Sequence, residues 1–346
     1  MKSLRIVALL SLVFLWSACV PESGPEESAT EAFRMGLLDR GDIEMNYGNQ
    51  QLQGLAMASA QPLGHHSVLA YETGRSVVGT NLILLHLVVT MEVIASLPPT
   101  VAEEDLHIWE GVHEGVFSRV TITREDRPEG ARFDYLLEAL PEGESGELRR
   151  MIEGYTLRFQ EGNQLSYHGY GLVDYDFDEI NEIYPQGIGG TAAVAFRRAG
   201  GVHQVNVRFV DAFSPEHPDF PPLASYQYIQ RSDLSGEFAW MSSADYLEDG
   251  EPYEDITARV RWNADLSGTG IARLTGGSME VDYWHLTDCW NDGLQVLYNE
   301  LALPNLSWDD GDIDACAFDP AEFTLPTEEE LGSERPEVPQ AHPEEQ

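Results

Sequence analysis

The chain has 346 residues, with 20 lysines and arginines against 59 aspartates and glutamates, so its formal net charge is −39 at neutral pH. A surface this acidic repels phosphate backbones, which excludes nucleic acid as a partner and disfavours peripheral attachment to anionic lipid headgroups. Lys2 is the one lysine in the sequence, so the rest of the chain has no amine for Schiff-base chemistry or for a phosphate-loop motif.

The N-terminal segment has the layout of a secretory signal. Lys2 and Arg5 flank the start of an apolar run over residues 6–16, and the small residues Ser17 and Ala18 come directly before Cys19. An apolar run of this length is too short to cross a hydrocarbon core about 30 Å thick as a helix. The pattern therefore predicts a signal peptide over residues 1–18 that is removed.

Residues 15–19 resemble the lipobox of bacterial lipoproteins, in which the cysteine is acylated and becomes the new N terminus. Trp16 stands where that pattern normally has leucine. The resemblance implies a lipid anchor at Cys19 and attachment to the membrane through it. Because Val20 rather than aspartate follows the cysteine, the resemblance also implies the outer membrane. The alternative is ordinary cleavage near Ala18, which gives a secreted or periplasmic protein.

Three further regions follow from composition. Residues 19–31 are predicted to be an acidic tether, because a polar run containing proline cannot bury enough surface to fold. A single β-rich domain is expected over residues 32–319. Residues 320–346 are rich in proline and glutamate without periodicity, which predicts a disordered acidic tail.

Residues 76–97 are apolar nearly all round and end at the pair Pro98 and Pro99. This pattern predicts one helix that is buried on all sides. A membrane span is the alternative interpretation of such a segment, but Glu92 would be costly in lipid.

Between residues 106 and 303, short alternating apolar runs are separated by glycine, asparagine, aspartate and proline, which is typical of antiparallel strands. Val205, Val207 and Phe209 form one such run. The tetrapeptide Asp-Leu-Ser-Gly occurs at residues 233–236 and again at 265–268. Both copies are predicted to be hairpin turns in which the glycine supplies a positive φ.

The predicted fold is therefore mainly β: a curved antiparallel sheet of about 10–12 strands, arranged as a half-barrel, a barrel or two layers, with the helix across its concave face. This order of elements is similar to the half-barrel lipid and lipoprotein carriers of bacterial envelopes. The resemblance implies an apolar cavity and an apolar ligand or another envelope component as partner, although fold analogy is weak evidence of function.

The remaining candidate sites are few. Cys289 and Cys316 are predicted to form a disulfide in an oxidising compartment, with two free thiols as the alternative. Asp174, Asp176 and Asp178 are weak candidates for a calcium site, because a calcium loop needs a glycine and a glutamate at positions that these residues do not provide. On a strand, the three aspartates would instead share one solvent-facing side.

No catalytic motif and no cofactor is predicted. The leading hypothesis is a non-catalytic outer-membrane lipoprotein that serves in envelope binding, carriage or structure. One alternative is a secreted hydrolase that uses paired carboxylates, which requires two acids close together in a cleft. Another alternative is a surface adhesion module stabilised by calcium.

Overall fold

The computed structural model describes residues 25–47, 63–113, 115–141, 143–144, 146–162, 164–185, 187, 189–213, 223–244, 253–331 and 336–339. The predicted signal peptide, Cys19 and the first part of the predicted tether lie outside these ranges. None of the helices within them is long and apolar enough to cross a membrane.

One antiparallel sheet dominates the fold, and each of its fifteen strands pairs with its neighbours in chain order. The prediction of a curved, mainly antiparallel β fold is confirmed. Within the described residues the first and last strands do not pair with each other, so the sheet is open. The strands are β1 Val101–Ala102, β2 Leu106–His113, β3 Val116–Arg127, β4 Gly130–Pro141, β5 Arg149–Glu161, β6 Gln164–Asp176, β7 Gly189–Ala199, β8 Val202–Phe213, β9 Leu223–Arg231, β10 Gly236–Ala244, β11 Glu254–Trp262, β12 Gly268–Gly276, β13 Trp284–Trp290, β14 Val296–Leu303 and β15 Leu306–Gly311.

Five α-helices accompany the sheet: α1 Pro25–Gly36, α2 Arg40–Ile43, α3 Val68–Ala95, α4 Phe177–Ile183 and α5 Glu328–Leu331. Helix α3 contacts β2 and β3 near one end of the strand order and β11, β12 and β13 near the other. The sheet therefore curls until a single helix bridges its two halves. Helix α1 packs on β3 to β6, and α2 packs on β7, β8 and α3.

Among the described residues, apolar side chains pack against one another in the interior of this curled sheet. A single cluster of buried apolar residues runs from Phe33 in α1 to Leu294 after β13. Alternating strand residues supply most of it, as the sequence pattern predicts: Val205, Val207 and Phe209 are all buried. Because large aromatic side chains occupy the centre, burial of their surface is the main stabilising contribution of the core.

Helix α3 differs from its prediction in two respects. It begins after Ser67, whose Oγ accepts the N–H of Ala70 (3.1 Å), and thus two turns before residue 76. It is also buried on one side only, because it lies across the opening of the sheet rather than deep inside it. Val88 on the inner side is fully buried, whereas the side chain of Leu82 is 61% exposed.

The start of α3 is fixed to β13 through a buried carboxylate. The Ser67 hydroxyl donates a hydrogen bond to Asp288 Oδ2 (2.5 Å). Burial raises the pKa of Asp288 to about 6, although the hydrogen bonds from Ser67 and from the backbone N–H groups of Val68 and Leu69 act in the opposite direction. A carboxylate in this place also complements the positive end of the helix dipole.

Arg158 of β5 holds the N-terminal helices to the sheet. Its guanidinium makes a bidentate pair with Asp42 of α2 (2.7 and 2.8 Å), and both side chains are almost completely buried. The remaining donors reach the carbonyl oxygens of Met35, Leu37 and Tyr167. Burial alone would lower the pKa of Arg158, but the Asp42 carboxylate outweighs it and the pKa is raised.

The two Asp-Leu-Ser-Gly segments are hairpin turns, as predicted, but leucine rather than glycine takes the positive φ in each: 73° at Leu234 and 72° at Leu266. The glycines have a different role. A Cβ on Gly268 would lie 2.4 Å from Cζ2 of Trp290, and a Cβ on Gly236 would lie 2.4 Å from Cζ2 of Trp262. Each indole N–H also donates to the carbonyl oxygen of the turn leucine.

Strand β13 begins at Trp284 and extends to Trp290, and it therefore includes Cys289. Cys289 is bonded to Cys316, which confirms the predicted disulfide. The bond joins the end of β13 to the short 3₁₀ turn Ile313–Ala315.

The packed part of the chain extends beyond residues 32–319 at both ends. Helix α1 includes residues 25–31, which were assigned to the tether. Residues 320–331 also pack on the sheet: Phe323 and Leu331 are buried, and Arg259 of β11 donates to the Thr324 carbonyl and pairs with Glu330. Residues 320–331 contact β9, β10 and β12.

Candidate binding cleft on the outer face of the sheet

The acidic run that the sequence analysis singled out lies where β6 leads into α4. In the register of the sheet, Glu153 of β5 is opposite Asp174 of β6, Asp174 is opposite Ala193 of β7, and Ala193 is opposite Arg208 of β8. Facing residues in neighbouring strands project to the same side. Because the adjacent Val173 points into the core, this row lies on the outer face.

A cleft of about 580 Å³ opens along this row. Its lining combines carboxylates with two arginines, and the small side chains of Thr191, Ala192 and Ala193 on β7 lie between Asp174 and Arg208. The lining residues are Arg150, Met151, Glu153, Asp174, Tyr175, Asp176, Glu179, Thr191, Ala192, Ala193, Arg208 and Val210.

Two of the three candidate aspartates are engaged by the backbone. Asp176 is the N-cap of α4, where its Oδ1 accepts the N–H of Glu179 (3.0 Å). Asp178 lies within α4, and its Oδ1 accepts the N–H of Gly190 at the start of β7 (2.9 Å). These two bonds fix the connection between β6 and β7, which is a structural reason for acidic residues at this place.

The structure brings Asp174 and Asp176 together in the cleft, and Asp178 does not line it. Within the described ranges, no group of three or more histidine, cysteine, aspartate or glutamate side chains has the arrangement of a metal site. Asp174 and Asp176 are thus cleft carboxylates, and calcium binding by these residues stays a prediction.

Two arginines at opposite ends of this row supply the positive charge of the cleft, Arg150 on β5 and Arg208 on β8. Arg150 pairs with Glu153, three residues along the same strand. Arg208 donates to the Ser225 hydroxyl of the neighbouring strand, and its Nε is buried without a hydrogen-bond partner among the described residues. Burial lowers the pKa of Arg208 from its ordinary value. Arg208 is therefore the cationic group best placed to gain from a ligand's acceptor atom.

The carboxylates of the cleft were predicted from the sequence as a candidate site, and its arginines were not. Arg150 and Arg208 are separated from Asp174 by 24 and 34 positions, and only strand pairing brings them together. The alternation of Arg208 with Val207 and Phe209 showed that Arg208 faces outward, but it gave no sign of what it faces. The arrangement suits a small polar ligand that carries both charge types, with its cationic part towards the carboxylates.

A second, smaller cleft of about 450 Å³ lies at the opposite ends of β7 and β8, beside α2. It is lined by Arg198, His203 and Gln230, among others. The imidazole Nε2 of His203 donates to the Asp42 carbonyl (2.7 Å), and burial lowers the pKa of His203. His203 thus serves to hold α2, which favours a structural role for this region.

Comparison of the chain with protein-family models, with curated proteins and with solved structures finds no significant match.

Proposed function

We propose that the protein is an outer-membrane lipoprotein, anchored through acyl chains on Cys19, whose β domain is a rigid, non-catalytic module for binding or structure in the cell envelope. The observation that carries the proposal is the filled interior of the curled sheet. Side chains from α1 to α3 and from the strands form one buried cluster there. A carrier of apolar ligands needs an open cavity in that position, so a binding or structural role is favoured over carriage.

The outer-face cleft is the binding surface in this proposal. Its mixture of carboxylates and arginines favours a charged, polar part of an envelope component over an acyl chain. We expect Arg208 to contribute to specificity, because its side chain lines the cleft beside the small residues of β7.

The anchor is tested by fractionating cells that express the full precursor. We expect the wild-type chain to require detergent for extraction, and the Cys19→Ser variant to appear in the soluble periplasmic fraction. Equal solubility of the two chains would remove the lipid anchor from the proposal.

Binding is tested by cosedimentation of the purified chain with insoluble envelope material. Arg208→Met is expected to weaken cosedimentation, whereas Arg273→Met on β12, outside the cleft, serves as the matched control. Stoichiometric fatty acid or phospholipid in an organic extract of the purified chain would restore the carrier hypothesis. Equal cosedimentation of both variants would show that the cleft is not the binding surface.

One observation favours a catalytic alternative. The cleft gathers the carboxylates of Glu153, Asp174, Asp176 and Glu179, and paired carboxylates are the machinery of glycoside hydrolysis. A screen of the purified chain against envelope polysaccharides tests this hypothesis. Product release that disappears in Asp174→Asn would replace the non-catalytic proposal.

The calcium-stabilised adhesion module remains an alternative for the same acidic region. Calorimetry of the chain with calcium and with chelator distinguishes it. A melting temperature that rises with calcium, and does not rise in Asp174→Asn, would support it.

A further inference from the structure

The outward side of α3 carries a row of apolar side chains in contact with solvent. Val78 is 54% exposed, Leu82 61% and Val89 48%, and Leu85 between them is partly buried. Arg75 and Glu92 continue the same row at either end, and both are exposed; Arg75 lies 3.7 Å from Glu72 of the preceding turn, and Glu92 lies beside Arg40 of α2. Exposed apolar rows of this length are uncommon on soluble surfaces and mark interaction sites.

The spacing of this row is that of a coiled-coil seam. Its residues follow one another at alternating intervals of three and four positions, which is the interval between a and d positions of successive heptads. The row consists of Arg75, Val78, Leu82, Leu85, Val89 and Glu92.

The row is also complementary to itself when reversed. In an antiparallel pair centred between residues 83 and 84, Leu82 of one helix meets Leu85 of the other, and Val78 meets Val89. The same register places Arg75 opposite Glu92. A parallel pair would instead oppose Arg75 to Arg75 and Glu92 to Glu92, which is repulsive.

We infer that α3 is the interface of a homodimer, in which a second copy of this chain packs antiparallel along the row. Four apolar layers form its centre, and an Arg75–Glu92 pair between the two copies closes each end. Within one chain these two residues are 17 positions apart on the helix, about 25 Å at 1.5 Å per residue, so they cannot meet each other.

Helix α3 does not have to fold in order to make this contact. An isolated segment of three heptads is only marginally helical in water, but α3 is already ordered because its inner side is buried against the sheet. Association therefore has no helix-ordering cost to overcome. The net charge of −39 opposes association of two copies, yet Glu72, Arg75 and Glu92 are the only Asp, Glu, Lys or Arg residues in α3, so repulsion at the interface itself is small.

The first test measures the mass of the full mature chain carrying Cys19→Ser, by sedimentation equilibrium at 0.15 M salt. We expect a dimer that Leu82→Glu weakens by about 100-fold in Kd, since a buried charge replaces a central apolar layer. Leu306→Glu is the matched control: Leu306 is 52% exposed on β15, away from α3, and its substitution should leave the dimer unchanged.

The second test checks the register. Arg75→Glu alone and Glu92→Arg alone should each weaken the dimer by about tenfold, because each creates two like-charge pairs across the interface. The double variant Arg75→Glu with Glu92→Arg should restore the wild-type affinity, which repulsion within one chain cannot explain.

A wild-type chain that is monomeric at 100 micromolar overturns the inference. If that monomer binds phosphatidylcholine vesicles through the row, the surface contacts a membrane instead. If it binds none, another part of the same chain covers the row. A dimer that Leu82→Glu does not weaken, or charge variants that the double exchange does not rescue, also overturns the inference.

Discussion

Replacement of Arg158 by methionine tests how the N-terminal helices are held to the sheet. The substitution keeps an unbranched apolar stem, but it shortens the side chain and removes its charge and all of its donors. The Asp42 carboxylate then remains buried, with only 1% of its side chain exposed, and without the guanidinium that neutralises it. Three carbonyl oxygens, those of Met35, Leu37 and Tyr167, lose a hydrogen bond at the same time.

The expected loss of unfolding free energy follows from these contacts. Breaking one side of a buried ion pair costs about 3 to 5 kcal/mol, and each unsatisfied carbonyl adds a further penalty of about 1 kcal/mol where water cannot reach it. Since the contact with the Leu37 carbonyl is the buried one of the three, we expect Arg158→Met to destabilise the chain by about 4 to 6 kcal/mol. Adding Asp42→Asn to this variant should recover about 2 kcal/mol, because the orphaned charge disappears.

The measurement is urea unfolding at pH 7.5, followed by tryptophan fluorescence. Arg150→Met is the matched control, since Arg150 lies on the same strand in an exposed pair with Glu153, and it should cost less than about 1 kcal/mol. A cost for Arg158→Met no larger than that of the control would show that the buried pair does not fasten α2 to the sheet.

Three further predictions concern stability. Asp288→Asn should stabilise the chain by about 3 kcal/mol at pH 7.5 and by about 1 kcal/mol at pH 4.5. The reason is that the folded pKa of Asp288 is raised from 3.8 to about 6, so its ionised form is the unfavourable one. An equal effect in urea unfolding at both pH values would contradict this. Cys316→Ser should lower the unfolding free energy by about 3 to 4 kcal/mol, since the disulfide closes a loop of 27 positions; an unchanged urea midpoint would show that the loop is held by other contacts. Gly268→Ala should lower the unfolding free energy by about 1 to 3 kcal/mol through the clash with Trp290. Gly111→Ala on β2, with no atom near its added Cβ, should be tolerated. Equal melting temperatures for the two variants would refute the packing argument.

The sequence was sufficient for the class of fold because strand alternation is a local property. Val205, Val207 and Phe209 reveal a buried face without knowledge of the partner strands. Helix α3 was harder: its residues are apolar on all sides, so periodicity gave no way to tell that one side meets the sheet and the other meets solvent. Its first two turns were missed because the polar Glu72 and Thr73 interrupt the pattern, although both are buried.

The cleft was only partly predictable for a different reason. Its acidic residues lie close together in the chain, so composition revealed them. Their actual contacts, such as that of Asp178 with the N–H of Gly190, depend on the short helix α4, which was not predicted from the sequence. Arg208 became part of the site only through the pairing of β7 with β8, which no local pattern in a single sequence specifies. The disulfide could be predicted because only three cysteines are present.

The central claim is that an acylated chain carries a β domain with a filled interior, and one sample tests both parts. The protein is purified from envelopes, and its mass is compared under native and denaturing conditions. The proposal predicts a denatured mass that begins at Cys19 with acyl chains attached, and a native mass per chain that contains nothing further. A denatured mass that begins at Met1 without acyl chains, or a stoichiometric apolar ligand that is lost on denaturation, would contradict it.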